Sequence, residues 1–186
     1  MLHGSHKTHL SKNPVMSGWV DALLDAFPDA RIVVMVRDPI QCIPSTLKLV
    51  ESIWQSKHWT RADYLPAQRT LTEISFDSFD LPPAALAAHP RTPHCFVDYR
   101  DLTSSPKATV EKVYAALGIA LSPQFADYLK AREEKEKRHK SDFEYSVEEY
   151  EIRPLEIESR LREHYDRYRW PRTSESAKSS QRAPSP

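Results

Sequence analysis

Five consecutive apolar residues, Ile32-Val33-Val34-Met35-Val36, run straight into Arg37-Asp38-Pro39 and constrain the fold of this chain more than any other stretch. An unbroken apolar run of this length reads as a strand buried on both faces, the pattern of a parallel sheet with helices on its two sides. Asp38-Pro39 ends the strand, and a helix is expected from about Ile40. Arg37 then stands at the carboxyl end of the strand, where open α/β sheets place their ligands. Ser45 follows eight positions later, in the first turns of the helix. A guanidinium and a hydroxyl so placed can converge on one anion beside a helix start. The plainer alternative is a surface turn, with Ser45 as a polar residue on the side of the helix.

The flanking segments carry the same alternation. Met16, Trp19, Val20, Leu23, Leu24 and Phe27 form one apolar stripe and predict a helix over 15–27, with Ser17 near its cap. Residues 8–12 read as a short strand or extended segment ended by Asn13-Pro14. The helix after the strand should run to about Trp54, with Leu47, Val50, Ile53 and Trp54 on one face. This helix–strand–helix unit is the repeat of a doubly wound sheet. Residues 55–93 mix a possible helix (66–76) with proline-rich connections. His94 to Leu102 reads as a second buried strand ending at Asp98-Tyr99. In 105–118, Ser105 suits the cap, Pro106 the first helical position and Gly118 the stop. A further helix is expected from about Pro123 into the charged run 130–140, and a last one through Ile157, Leu161, Tyr165 and Tyr168. Residues 171–186 are expected to be a disordered tail.

Composition excludes several classes. Twenty-six Lys and Arg balance twenty-six Asp and Glu, so no net field draws nucleic acid or an anionic membrane. No apolar run approaches the ~20 residues that cross a bilayer, and the first ten residues lack the apolar core of a secretion signal. Cys42 and Cys95 form no CxxC pair, which suits reduced thiols and a cytoplasmic location. His3, His6 and His9, at three-residue steps, do not line up on one strand face, so no metal site is expected.

Three segments in order, "LSKNP" (10–14), "FPDARIVVMVRDPIQCIPS" (27–45) and "FVDYRDLTSSPKATVEKVYAALGI" (96–119), resemble the sulfotransferases that use 3′-phosphoadenosine 5′-phosphosulfate (PAPS). The resemblance is to the bacterial and fungal branch that shares features with the tyrosylprotein and cytosolic enzymes, and it runs from about residue 10 to about residue 168. It implies that Arg37 and Ser45 bind the 3′-phosphate, a match for bidentate guanidinium recognition. It also implies that Tyr99 of "DYRDL" lies near the adenine, with Arg100 where an acidic residue is common. Lys12 resembles the lysine near the transferring sulfuryl group, where a cation offsets charge on the bridging oxygen. "KTHL" (7–10) resembles instead the cytosolic enzymes' segment whose histidine is the general base, which would make His9 that base. Lys12 precedes Arg37 by 25 residues and Lys7 by 30; the interval in the family is about two dozen, which favours Lys12. "RHKSDFEYSVEEYEI" (138–152) resembles loosely the segment that closes over the nucleotide, with Lys140 or Arg138 in reach of a phosphate.

The resemblance also implies a second anion site, a Gly/Ser/Thr-rich loop after a first strand, that cradles the 5′-phosphosulfate. Gly4, Gly18 and Gly118 are too scattered to form it, and no G-x-x-x-x-G-K-[ST] occurs. The expected fold is therefore α/β, a partial P-loop-NTPase-like parallel sheet flanked by helices that lacks the first strand and its loop. Residues 1–170 would be the C-terminal portion of a sulfotransferase domain with weak or no activity alone. The alternative is a non-catalytic remnant that binds nucleotide or serves as an interaction domain. A phosphoryl transferase is disfavoured, since neither a Walker-type lysine loop nor a clear magnesium carboxylate is present. The acceptor, a small molecule or other hydroxyl- or amine-bearing compound, is not legible. Trp54, Trp59, Tyr64 and Phe76 either line an apolar cavity for it or are ordinary packing.

Overall fold

The computed structural model describes residues 8–136 and 148–173. Its architecture is α/β, mostly helical, around a two-stranded parallel sheet. A 3-10 turn (Pro14–Trp19) leads into α1 (Val20–Ala26), β1 (Ile32–Val36), α2 (Pro39–Ser56), α3 (Arg61–Ala88), β2 (His94–Asp98), α4 (Tyr99–Ser104), α5 (Pro106–Ala116) and α6 (Pro123–Glu136). A second 3-10 turn (Glu148–Tyr150) precedes α7 (Pro154–Arg160) and α8 (Arg162–Tyr168).

The strands pair in register from Ile32 opposite His94 to Val36 opposite Asp98. Partners in a parallel pair share a face, so Val34, Val36 and Phe96 turn together into the core beneath Ile43, Leu47, Tyr165 and Trp170. The opposite face of β1 is not covered in the same way: Val33 and Met35 are 39% and 50% exposed. Burial of β1 on both faces, expected from its unbroken apolar run, therefore holds for one face only. Residues of α2, α3, α7 and α8 cover the side of Val34 and Val36. On the other face Val97 of β2 is buried and Val33 and Met35 of β1 are not, an asymmetry of which the run of five apolar residues gives no sign.

The longest departure is α3. The proline-rich 55–93 segment holds a single 28-residue helix with Pro66, Pro82 and Pro83 inside it. Its start is fixed by Asp63, whose carboxylate accepts from both the backbone N–H and the hydroxyl of Thr60 at 2.7 Å. Each proline removes a helical donor at a cost of about 3 kcal/mol in an exposed interior. Burial offsets that cost here, because Tyr64, Gln68, Phe76, Phe79, Pro82 and Leu86 recur at helical spacing on the covered face.

The helix expected over 15–27 is split. Asn13, not Ser17, caps its first part by accepting from the Val15 N–H at 3.2 Å, and Trp19 leaves helical geometry before α1 begins. Leu24 is buried, whereas Trp19 and Phe27 of the anticipated stripe are 63% and 60% exposed. The last helix is likewise two, broken at Leu161, yet Ile157, Leu161 and Tyr165 are fully buried as their spacing predicts. Pro106 and Gly118 (φ +64°) bound the α5 region as expected, while Ser105 stands at the cap position without a side-chain bond. Lys7, Arg138, Lys140, His3 and His6, and residues 174–186 of the anticipated tail, lie outside the described residues.

Candidate functional site

Both strands terminate against an aspartate that starts the next helix. Asp38 accepts from the Ile40 N–H at 3.1 Å and Asp98 from the Arg100 N–H at 2.8 Å, so α2 and α4 are each capped at a strand end. Each carboxylate also holds the C-terminal segment: the Tyr165 hydroxyl donates to Asp38 at 3.1 Å and the Trp170 indole N–H to Asp98 at 3.1 Å. The two acids differ in charge environment. Burial raises the Asp38 pKa, and the bonds from Ile40 and Tyr165 only partly oppose it. Burial also pushes Asp98 up, but the hydrogen bonds and charge of Arg100 outweigh it and hold the carboxyl below its ordinary value. Arg100 grips Asp98 through Nε (3.1 Å) and Nη2 (2.7 Å) and donates to the backbone carbonyls of Tyr168 and Arg169. This arginine, in a position where the resemblance implies an acidic residue, is thus a clamp on the C-terminal segment.

Because Val36 lies opposite Asp98, the residues that follow the two strands, Arg37 and Tyr99, emerge side by side. The Arg37 guanidinium carbon sits 4.9 Å from the centre of the Tyr99 ring, a cation–π arrangement. Its edge is held as well, since Nε and Nη2 donate to Gln41 Oε1 at 3.4 and 3.2 Å. Gln41 and Ser45 are one turn apart on α2 and share a face. Thr46, Ser52 and Ser56 of α2 return their hydroxyls to carbonyls three or four residues back, whereas the partly buried Ser45 hydroxyl has no hydrogen bond among the described residues. The result is a strip of donors beside the α2 start, flanked by an aromatic face. Two cavities, of about 270 and 330 Å³, lie elsewhere, one lined by residues that include Lys48, Glu51 and Tyr150 and the other by residues that include Tyr165, Trp170 and Arg172.

The remaining candidates are placed elsewhere. Lys12 and His9 are exposed in the irregular stretch before Asn13, and no contact ties them to Arg37 among the described residues. Partly buried Trp54 stacks on buried Tyr64 at 5.1 Å, and Phe76 is buried beneath the Arg160 guanidinium, so these three rings are engaged in packing. Trp59 is 48% exposed. Sequence reasoning passed over Gln41, although its place four residues from both Arg37 and Ser45 is a readable signal. Tyr165 and Trp170 had no such signal, because they reach the strand ends from more than a hundred and about seventy residues away.

Residues 2–123 match the model of the sulfotransferase family. The chain belongs to that family. Within it, the chain is similar to the omega-hydroxy-beta-dihydromenaquinone-9 sulfotransferases Stf3 of Mycobacterium bovis and Mycobacterium tuberculosis, each 25% identical over 113 residues. The aligned segment is 61% of this chain but 29% of either relative, so the chain spans under a third of their length. No solved structure matches. The part matched to sulfotransferases holds β1, β2 and the Arg37–Tyr99 strip, while the C-terminal aromatics that brace it lie beyond. Among the described residues no His, Cys, Asp or Glu group is gathered to hold a metal ion, and no helix is long and apolar enough to cross a membrane.

Proposed function

We propose that this chain carries the 3′-phosphate-recognition part of a PAPS-dependent sulfotransferase. The observation that supports the reading best is the Arg37 guanidinium packed on Tyr99 at the carboxyl ends of two paired parallel strands, with Ser45 two turns into the following helix. The donor set suits a phosphate monoester. A guanidinium has donors only, and the Ser45 hydroxyl is uncommitted among the described residues. Tyr99, 40% exposed, offers an apolar face beside the phosphate contacts for the adenine.

PAPS supplies a sulfuryl group, transferred to the hydroxyl or amine of a small-molecule acceptor. In this reading Lys12 offsets charge near the bridging oxygen, His9 is the alternative group for removing the acceptor proton, and Lys140 is a further phosphate contact. Calorimetry with adenosine 3′,5′-bisphosphate and with 5′-AMP tests the reading. The bisphosphate should bind more tightly, and Arg37→Ala should erase the preference. Equal binding of both nucleotides by the unaltered protein refutes it.

A further inference from the structure

Gln41 is exposed, and still both near-side donors of Arg37 converge on its Oε1. A guanidinium carries no acceptor, so the amide must turn its oxygen to Arg37 and leave its NH2 group facing outward. That NH2 has no hydrogen-bond partner among the described residues. Arg37 is thereby fixed on its edge by Gln41 and on its face by Tyr99, and its Nη1 makes no hydrogen bond among the described residues. Gln41 lies one helical turn before Ser45 on the same face of α2, and Arg37 reaches it from the residue before the Asp38 cap.

We infer that Gln41 is the positioning residue of the phosphate strip, fixing the Arg37 guanidinium through Oε1 and presenting its amide NH2 to the same anion as Arg37 and Ser45. The inference rests on the proposed 3′-phosphate reading. Its chemical reason is that a long, flexible arginine loses rotamer freedom on gripping an anion, and a side chain that holds it beforehand lowers that cost.

The test uses Gln41→Met, which keeps length and helix preference, and Gln41→Glu, which holds Arg37 more strongly but opposes an anion. Calorimetry is run with adenosine 3′,5′-bisphosphate and 5′-AMP, with thermal melts confirming an unchanged fold. Gln41→Met should weaken the bisphosphate about fivefold and leave 5′-AMP within about twofold. Gln41→Glu should weaken the bisphosphate at least as much. Equal loss for both nucleotides, or no loss for either, in a protein that still prefers the bisphosphate, overturns the role of Gln41 alone. Absence of that preference before any substitution overturns the phosphate reading and this inference with it.

Discussion

Replacing Arg100 by methionine tests the clamp at the end of β2. The change keeps a long unbranched side chain but removes the two-point grip on Asp98 and the donors to the Tyr168 and Arg169 carbonyls. The Asp98 side chain is 9% exposed and that of Arg100 is 52% exposed. Stripping one partner from a fully buried pair costs about 3–5 kcal/mol, whereas an exposed pair contributes about 0–1 kcal/mol. With one member buried and the other half in water, the expected loss is about 2 kcal/mol, read by urea denaturation followed by circular dichroism at neutral pH. The sign of the pH dependence follows from the lowered Asp98 pKa. A carboxyl held below its ordinary value contributes stability above that value and loses it as pH falls through the lowered one, so the gap between the two proteins should narrow toward about pH 4 and below. Asp98→Asn keeps an acceptor for the Arg100 N–H, and in that background Arg100→Met should cost clearly less. An equal loss in both backgrounds, or a change within about 0.5 kcal/mol in the parent, refutes the reasoning.

Asp38→Asn should behave oppositely. Its carboxyl is raised by burial, so the folded protein holds the proton more tightly and the native acid loses stability as pH rises above about 4. The amide oxygen still caps α2 and accepts from Tyr165, and melts should favour the variant more at neutral than at acid pH; the reverse trend contradicts the burial argument. Leu47→Ala removes a side chain with no exposed surface from the centre of the core. It should cost about 2–5 kcal/mol in denaturant unfolding.

The elements nearest the site were the most legible. The run 32–36 announced β1, 94–98 announced β2, and Arg37 and Tyr99 met because both stand one step past the strand ends. Three things stayed hidden, each for a physical reason. The three prolines of α3 sit in a helix whose Phe76 and Phe79 pack on partners distant in sequence, Arg160, His164 and Trp170. The exposure of Val33 and Met35 depends on where helices gather, which an apolar pattern does not encode. The opposite shifts of Asp38 and Asp98 depend on burial, which dominates at Asp38 and is outweighed by the Arg100 grip at Asp98, and the sequence does not encode how deeply each carboxylate is covered.

Tyr165 and Trp170 make the strand termini, and the side chains projecting from them, dependent on residues near the far end of the chain. Small displacements of reacting or binding groups are costly, about a hundredfold in rate per ångström in sensitive sites. A lesion in this aromatic pair would therefore mimic a defect in ligand recognition while touching no ligand. Variants at 165 and 170 belong with the wall that keeps the gripping groups aligned.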